Sequence, residues 1–245
     1  MQGKYKEIYD SSINQKEDFW KEIADNIFWY KKPSKILNSS NPPFYKWYED
    51  GTTNTCYNAI DFHIDNGRGE KLAIIYDSPI TKSKKTFTYN QLKEKVSLFS
   101  GVLKNQGINK GDRVIIYMPM IPEAVIAMLA CGRIGAVHSV VFGGFAANEL
   151  ASRIDDSKAK IIVSASCGYE PGRVVEYKPL LNKALELSKH KPNKCIIFQR
   201  EKNKAILDPQ IDVDWDESLK DAKPENCVEM NANDYAYILY TSGTT

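Results

Sequence analysis

Hydroxyls and a glycine close this sequence. Tyr237-Ile-Leu-Tyr-Thr-Ser-Gly-Thr-Thr245 reads as a buried strand that runs into a turn made of Thr241, Ser242, Gly243, Thr244 and Thr245. Such a turn suits a phosphate. Glycine lets the backbone come close, successive N–H groups point inward, and the hydroxyls add donors. It is not the P-loop of ordinary NTPases, because no Gly-Lys-Ser or Gly-Lys-Thr occurs anywhere in the chain. Taken alone, it reads equally well as a strand end with a polar turn.

Two further segments have types and spacing suited to binding. Phe142-Gly-Gly-Phe145 directly follows a strand pattern, and Gly143 with Gly144 would allow a ligand close to the backbone. Its plainer reading is a glycine turn that redirects the chain. In Ala165-Ser-Cys-Gly-Tyr-Glu-Pro-Gly-Arg173, the turn Glu170-Pro171-Gly172-Arg173 holds an arginine at a stiff, exposed place. There a planar guanidinium can meet a phosphate through two donors. A solvated surface arginine is the plainer alternative.

The elements that must position these segments alternate. Leu72–Tyr76 is a strand, and Thr88-Tyr-Asn-Gln91 is a capping box that opens a helix with Leu92, Val96, Phe99 and Leu103 on one side and Gly107 as its stop. Arg113–Met118 is a strand, Pro122 opens a helix to Gly132, and Val137–Phe142 is a strand. A helix from Asn148 to Ile154, a strand Lys160–Ser164, a helix Leu180–Leu187 and a strand Cys195–Phe198 follow. Short β-branched runs between helices predict an α/β fold, a mostly parallel sheet covered by helices on both faces. Ligands bind such sheets at the carboxyl ends of the strands, where all three candidate segments fall. Residues 200–233 are polar and read as an irregular surface connection. Residues 1–65 read as an aromatic helical arm preceding the domain of residues 66–245. In the arm Asn14 is placed to cap a helix with Glu17 three residues on, Phe19, Trp20, Ile23 and Ile27 recur at helical spacing, and two prolines, Pro42 and Pro43, fix an extended segment.

Composition narrows the classes. The chain has 245 residues, is 42% apolar, and carries 33 Lys plus Arg against 31 Asp plus Glu, a net charge of +2. That balance points to no nucleic acid and no membrane surface as partner. There is no run long enough to span a bilayer. The start lacks an apolar stretch and mixes in acids early, which argues against a transit peptide and places the protein in the cytoplasm, with the mitochondrial matrix as the alternative. Cys56, Cys131, Cys167, Cys195 and Cys227 are odd in number and lack any Cys-x-x-Cys pair, so reduced thiols and no metal site are expected.

The motifs together resemble a family. Ser40-Asn-Pro-Pro-Phe-Tyr-Lys-Trp47, Asn66-Gly-Arg-Gly69, Ile74-Ile-Tyr-Asp-Ser-Pro79, Gly135-Ala-Val-His-Ser-Val-Val-Phe-Gly-Gly-Phe145, Ser166–Arg173 and Tyr237–Thr245 are similar to the AMP-forming short-chain acyl-CoA synthetases, nearest the propionyl-CoA synthetase branch. In acetyl-CoA synthetases the CoA-contacting turn usually carries two arginines flanking Ala-Gly. Here the first is Glu170 and the second Arg173, so any charge-pairing role of position 170 is in doubt. The resemblance implies a ligase that makes an acyl-adenylate from a short carboxylate and ATP with Mg2+, then passes the acyl group to CoA. It implies that Thr241–Thr245 hold the ATP phosphates, that Phe142, Gly143 and Gly144 line the CoA path, and that Glu170–Arg173 form the CoA turn, with Arg173 on the 3′-phosphate. By family pattern the magnesium glutamate, the adenine, ribose and carboxylate sites, the hinge and the catalytic lysine of a C-terminal domain would lie beyond Thr245, so no catalytic residue is expected here and the 245 residues alone are expected to be inactive. Two readings stay open beside propionate: an acetate-specific enzyme, and a non-catalytic remnant that binds CoA or a partner subunit.

Overall fold

The computed structural model describes residues 3–241. Its centre is a five-stranded sheet. After three two-residue strands, Leu37–Asn38, Lys46–Trp47 and Thr52–Thr53, come two longer strands outside this sheet, β1 (Leu72–Ser78) and β2 (Ser83–Thr88), paired antiparallel. Then follow β3 (Arg113–Met118), β4 (Val137–Phe142), β5 (Ile161–Ala165), the short β6 (Cys167–Glu170) and β7 (Arg173–Glu176), β8 (Lys194–Phe198) and β9 (Asp212–Asp214). The sheet order is β9-β8-β5-β3-β4, every pair parallel. The helices are α1 (Gly3–Asn14), α2 (Lys16–Ala24), α3 (Tyr89–Asn105), α4 (Pro122–Arg133), α5 (Ala147–Ser157), α6 (Tyr177–Leu187) and α7 (Trp215–Lys220).

Strand periodicity divides the core. On β3, Val114, Ile116 and Met118 face one cluster and Ile115 and Tyr117 the other. Successive side chains of a strand point to opposite faces, so one run of apolar residues feeds two layers. The first layer takes Leu92, Val96, Phe99 and Leu103 of α3, Ala127 and Ala130 of α4, and Trp215, whose ring stacks on Phe99 at 3.7 Å. The second takes Leu150 and Ile154 of α5 with Tyr177, Leu181 and Ala184 of α6. The expected capping box forms, Thr88 Oγ1 accepting from Gln91 N–H and Gln91 Oε1 accepting from Thr88 N–H. Gly107 ends α3 at φ +81°, the left-handed turn that favours glycine. Among the described residues no helix is long and apolar enough to cross a membrane.

Four expectations fail. Asn14 does not cap a helix; it is the last residue of α1, and Gln15 N–H continues that helix by donating to Ser11 O. Pro42 and Pro43 do not fix an extended segment: the bond between them is cis and Phe44 N–H donates to Asn41 O at 2.8 Å, so the chain turns there. The stretch 200–233 is not merely irregular. It supplies β9 as an edge strand and α7, capped by Asp214 accepting from Asp216 and Glu217 N–H. The β9 aspartates are placed by partners: buried Asp212 pairs with Lys178 at 2.8 Å, and Asp214 caps α7. Finally, Tyr237–Tyr240 is not a buried strand: it makes a single parallel bridge, Tyr237 to His138 on β4, and Tyr237 and Leu239 are 60% and 71% exposed. One bridge fixes one residue pair and leaves no second face covered.

Candidate binding site at the carboxyl ends of the sheet

The segment after β5 folds as a hairpin. β6 and β7 pair antiparallel with Glu170 opposite Arg173, and Pro171-Gly172 makes the turn, Gly172 at φ +77°. Proline followed by a residue of positive φ is the pattern of a type II turn. Arg173 is thereby held at the tip, its side chain 70% exposed. It is not free: Arg173 Nε donates to Glu170 Oε2 at 2.7 Å and a terminal nitrogen lies 2.6 Å from the same oxygen. Glu170 pairs its charge with Arg173 itself, because two strand residues directly opposite across a tight turn bring their side chains together.

The hairpin is braced from outside. Arg200 lies over the Tyr169 ring at 3.7 Å and donates to Cys167 O, Lys202 N–H donates to Tyr169 Oη, and Ser166 Oγ donates to Asn203 O. From beneath, Tyr177 joins the hairpin to the loop after β4. A Cβ on Gly143 would lie 2.5 Å from Tyr177 Oη and 2.8 Å from Met118 O, and a Cβ on Gly168 would also lie 2.5 Å from Tyr177 Oη. Gly143 is therefore spent on packing the tyrosine. Gly144 is open: its φ is +127°, and a Cβ there would meet only a Phe142 ring carbon, at 3.7 Å. Phe142 is exposed and meets Phe145 edge-on at 5.7 Å. Tyr117 Oη donates to Phe145 O, and its ring is 5.1 Å from that of Tyr177. Burial pushes the Tyr177 phenol up to about 12 and raises Tyr117 as well, so both stay neutral.

The third segment is tied in by Arg153 of α5. Its guanidinium lies 5.1 Å from the Phe145 ring and 5.0 Å from the Tyr240 ring, while Tyr240 Oη donates to Asp156 Oδ2 at 2.5 Å. Thr241 follows at this end of the sheet; Ser242, Gly243, Thr244 and Thr245 lie outside the described residues. The structure thus brings the Phe142–Phe145 loop, the Glu170–Arg173 turn and the approach to Thr241 to one end of the sheet. Sequence reasoning missed Tyr177, Arg153 and Arg200, the residues that join them. A depression of about 700 Å³ lies at the opposite, amino ends of β3 and β4, lined by Arg113, Val137 and Tyr235 among others; it is remote from this cluster.

With this geometry in place, likeness to known proteins becomes informative. Residues 63–245 match the family model described as AMP-binding enzyme. The chain belongs to that family. Residues 5–59 match the model described as acetyl-coenzyme A synthetase N-terminus. The human mitochondrial acyl-CoA synthetase short-chain family member 3 is 51% identical over 244 residues, covering 99% of this chain and 36% of that protein. The propionate–CoA ligase of Escherichia coli K12 is 43% identical over 244 residues, covering 98% of this chain and 38% of the relative. The chain thus spans well under half the length of these curated relatives. An acetoacetyl-CoA synthetase from Streptomyces lividans superposes with a TM-score of 0.87 at 20% identity, over 99% of this chain and 37% of that one, and shows the shared fold. The exposed arginine turn of this family member follows the carboxyl end of β5 in the parallel sheet.

Proposed function

We propose that these residues are the CoA-facing part of an AMP-forming short-chain acyl-CoA synthetase that joins propionate to CoA, with residues 1–65 as an arm and 66–245 as part of the adenylation domain. The observation that carries this reading is the exposed Arg173 at the tip of a braced hairpin, which Tyr177 joins to the loop that carries Gly143 and the open Gly144. In the first half-reaction a carboxylate oxygen attacks the α-phosphorus of ATP and pyrophosphate leaves. Thr241, Ser242, Gly243, Thr244 and Thr245 would hold the β- and γ-phosphates and steady the charge that develops there. In the second, the CoA thiol attacks the acyl carbon and AMP leaves. Arg173 would then anchor the 3′-phosphate through its fork, exchanging Glu170 for the phosphate, while Phe142 and Gly144 border the path of the pantetheine. Gly143 contributes by seating Tyr177.

Bound Mg2+ would neutralise charge on the nucleotide. Three carboxylates at this end already have partners in this structure, Glu170 with Arg173, Glu176 accepting from Asn203 and Asp156 accepting from Tyr240, and they do not converge as a site for it.

Propionate is favoured by the Glu170-Pro171-Gly172-Arg173 turn and by the likeness to a protein named propionate–CoA ligase. One methylene in an apolar pocket is worth about 1–3 kcal/mol, so acetate should react more slowly and not be excluded. Comparing kcat/KM for the two acids in the complete synthetase tests the assignment; equal values or a preference for acetate move it to the acetyl branch. The 245 residues on their own should not turn over propionate, ATP and CoA, because positioning all three reactants supplies much of the rate. Thioester formation by the purified 245-residue chain would refute that.

A further inference from the structure

Cys56 and Cys227 are distant in sequence and adjacent in space. Their Sγ atoms and the Asp61 carboxylate all lie within 4.8 Å of one another. Met230–Asn231 pairs antiparallel with Thr52–Thr53, which brings the two segments side by side. Asn54 Nδ2 donates to Gly132 O and Val228 O, Val228 N–H donates to Arg133 O, and Arg133 Nε donates to Glu225 O. The backbone on both sides of the sulfurs is therefore already in register. Cys56 is buried and Cys227 is half-buried, on the solvent side of the pair.

We propose that Cys56 and Cys227 form a peroxide-sensitive dithiol that closes to a disulfide, fastening the segment that carries Cys227 to the helical turn near the end of the amino-terminal arm. This goes beyond the synthetase reading and does not depend on it. Cys56 is the nucleophile. The adjacent Cys227 side chain and the Arg133 guanidinium, 3.7 Å from the Cys56 sulfur, hold Cys56 below the usual thiol range against burial. Cys56 beside it, with burial, raises Cys227, whose thiol proton points to Asp61 Oδ2 at 3.7 Å, so Cys227 stays a thiol. Cys131 and Cys195, by contrast, are pushed up to about 12 by burial and are inert thiols.

The chemistry balances. The Cys56 thiolate attacks one oxygen of hydrogen peroxide, the O–O bond breaks, a sulfenic acid forms and hydroxide leaves, becoming water on taking a proton. Cys227 then attacks the sulfenic sulfur; the S–S bond forms, the S–O bond breaks, and the hydroxide leaves as water with the Cys227 proton. Two thiols are oxidised and one peroxide is reduced. Closing requires side-chain rotation to bring the sulfurs to the ~2.05 Å of a disulfide. The same three groups have the types of a soft-metal site, but Arg133 lies 2.7 Å from the Asp61 carboxylate and Lys93 2.9 Å from it, and these two cations occupy the place a metal ion would need.

The test is peptide mapping of the protein after hydrogen peroxide. Free thiols are alkylated with iodoacetamide under denaturing conditions, followed by trypsin without reductant. The expected result is loss of alkylation at both Cys56 and Cys227, with their two tryptic peptides joined and lighter by two hydrogens, while Cys131, Cys167 and Cys195 remain alkylated. Dithiothreitol should restore both thiols. Cys227→Ser, which leaves the buried Cys56 untouched, should stop at a Cys56 sulfenic acid that dimedone captures. Full alkylation of both cysteines after peroxide overturns the proposal. So does linkage to Cys131, Cys167 or Cys195, or a stoichiometric zinc ion that shields both thiols.

Discussion

Arg133 meets Asp61 at 2.7 Å, and Arg173 meets Glu170 at 2.6 Å. The side chains of the first pair are 2% and 6% exposed, those of the second 70% and 44%. The inner pair joins α4 to the helical turn near the end of the arm, with Lys93 as a second partner for Asp61 and with Arg133 Nε reaching Glu225 O. It has no exchange partner, because water cannot replace what either ion gives the other. The outer pair sits on a hairpin tip in high dielectric, where its worth is small and a stronger anion can displace the carboxylate. The same two chemical groups are therefore structural in one place and available in the other, and burial alone makes the difference.

Breaking the inner pair should give the largest effect. Asp61→Ala strands a buried guanidinium and should cost about 3–5 kcal/mol in unfolding free energy, read by urea denaturation. A loss under ~1 kcal/mol would mean that water reaches the pair. Burial raises the Asp61 carboxyl, but the hydrogen bonds and charges of Arg133 and Lys93 outweigh it and hold Asp61 below its ordinary 3.8. The sign follows: this share of stability is complete above 3.8 and disappears as pH falls through the lower folded value. The stability gap between the parent and Asp61→Asn should therefore narrow only below 3.8.

An intermediate effect is expected at the seat of the loop. Gly143→Ala sets a methyl 2.5 Å from Tyr177 Oη. Overpacking of this kind costs about 1–3 kcal/mol, and Gly144→Ala at the open neighbour tests the contrast. Gly144 has its own strain at φ +127°, so a thermal-shift comparison should be read beside a crystal structure of Gly143→Ala, in which the Tyr177 ring must have moved. An unmoved ring would contradict the packing role. The smallest effect belongs to the outer pair. Glu170→Gln should leave stability within about 1 kcal/mol and, by releasing the Arg173 fork, lower the KM for CoA in the complete synthetase by up to about fivefold. A rise in that KM would show Glu170 to be a positioning residue for Arg173.

The contrast also explains what the sequence disclosed. Local signals were legible: the Thr88–Gln91 box, the strand Arg113–Met118, Pro122 at a helix start and the turn before Arg173 each depend on neighbours a few residues away. The parallel sheet followed from β-branched runs between helices. What could not be read were pairings made by the fold. Tyr177 filling the space at Gly143 and Gly168, Arg153 between Phe145 and Tyr240, and Cys56 beside Cys227 have no periodic or spacing signature. β9 was missed because an edge strand of alternating aspartates looks like a loop, and Tyr237–Tyr240 was over-read because apolar composition alone does not supply a strand's partners.

The central claim is that the outer arginine binds a phosphate, and the most direct measurement is the KM of the complete synthetase for CoA and for dephospho-CoA, before and after Arg173→Ala. A charge-assisted hydrogen bond to phosphate is worth about 1.5–3 kcal/mol, or roughly 10- to 150-fold. The parent should prefer CoA by that factor, and the alanine variant should scarcely distinguish the two, while propionate-dependent pyrophosphate exchange is retained. A variant that still prefers CoA as strongly as the parent, or that loses pyrophosphate exchange along with thioester synthesis, would contradict the account.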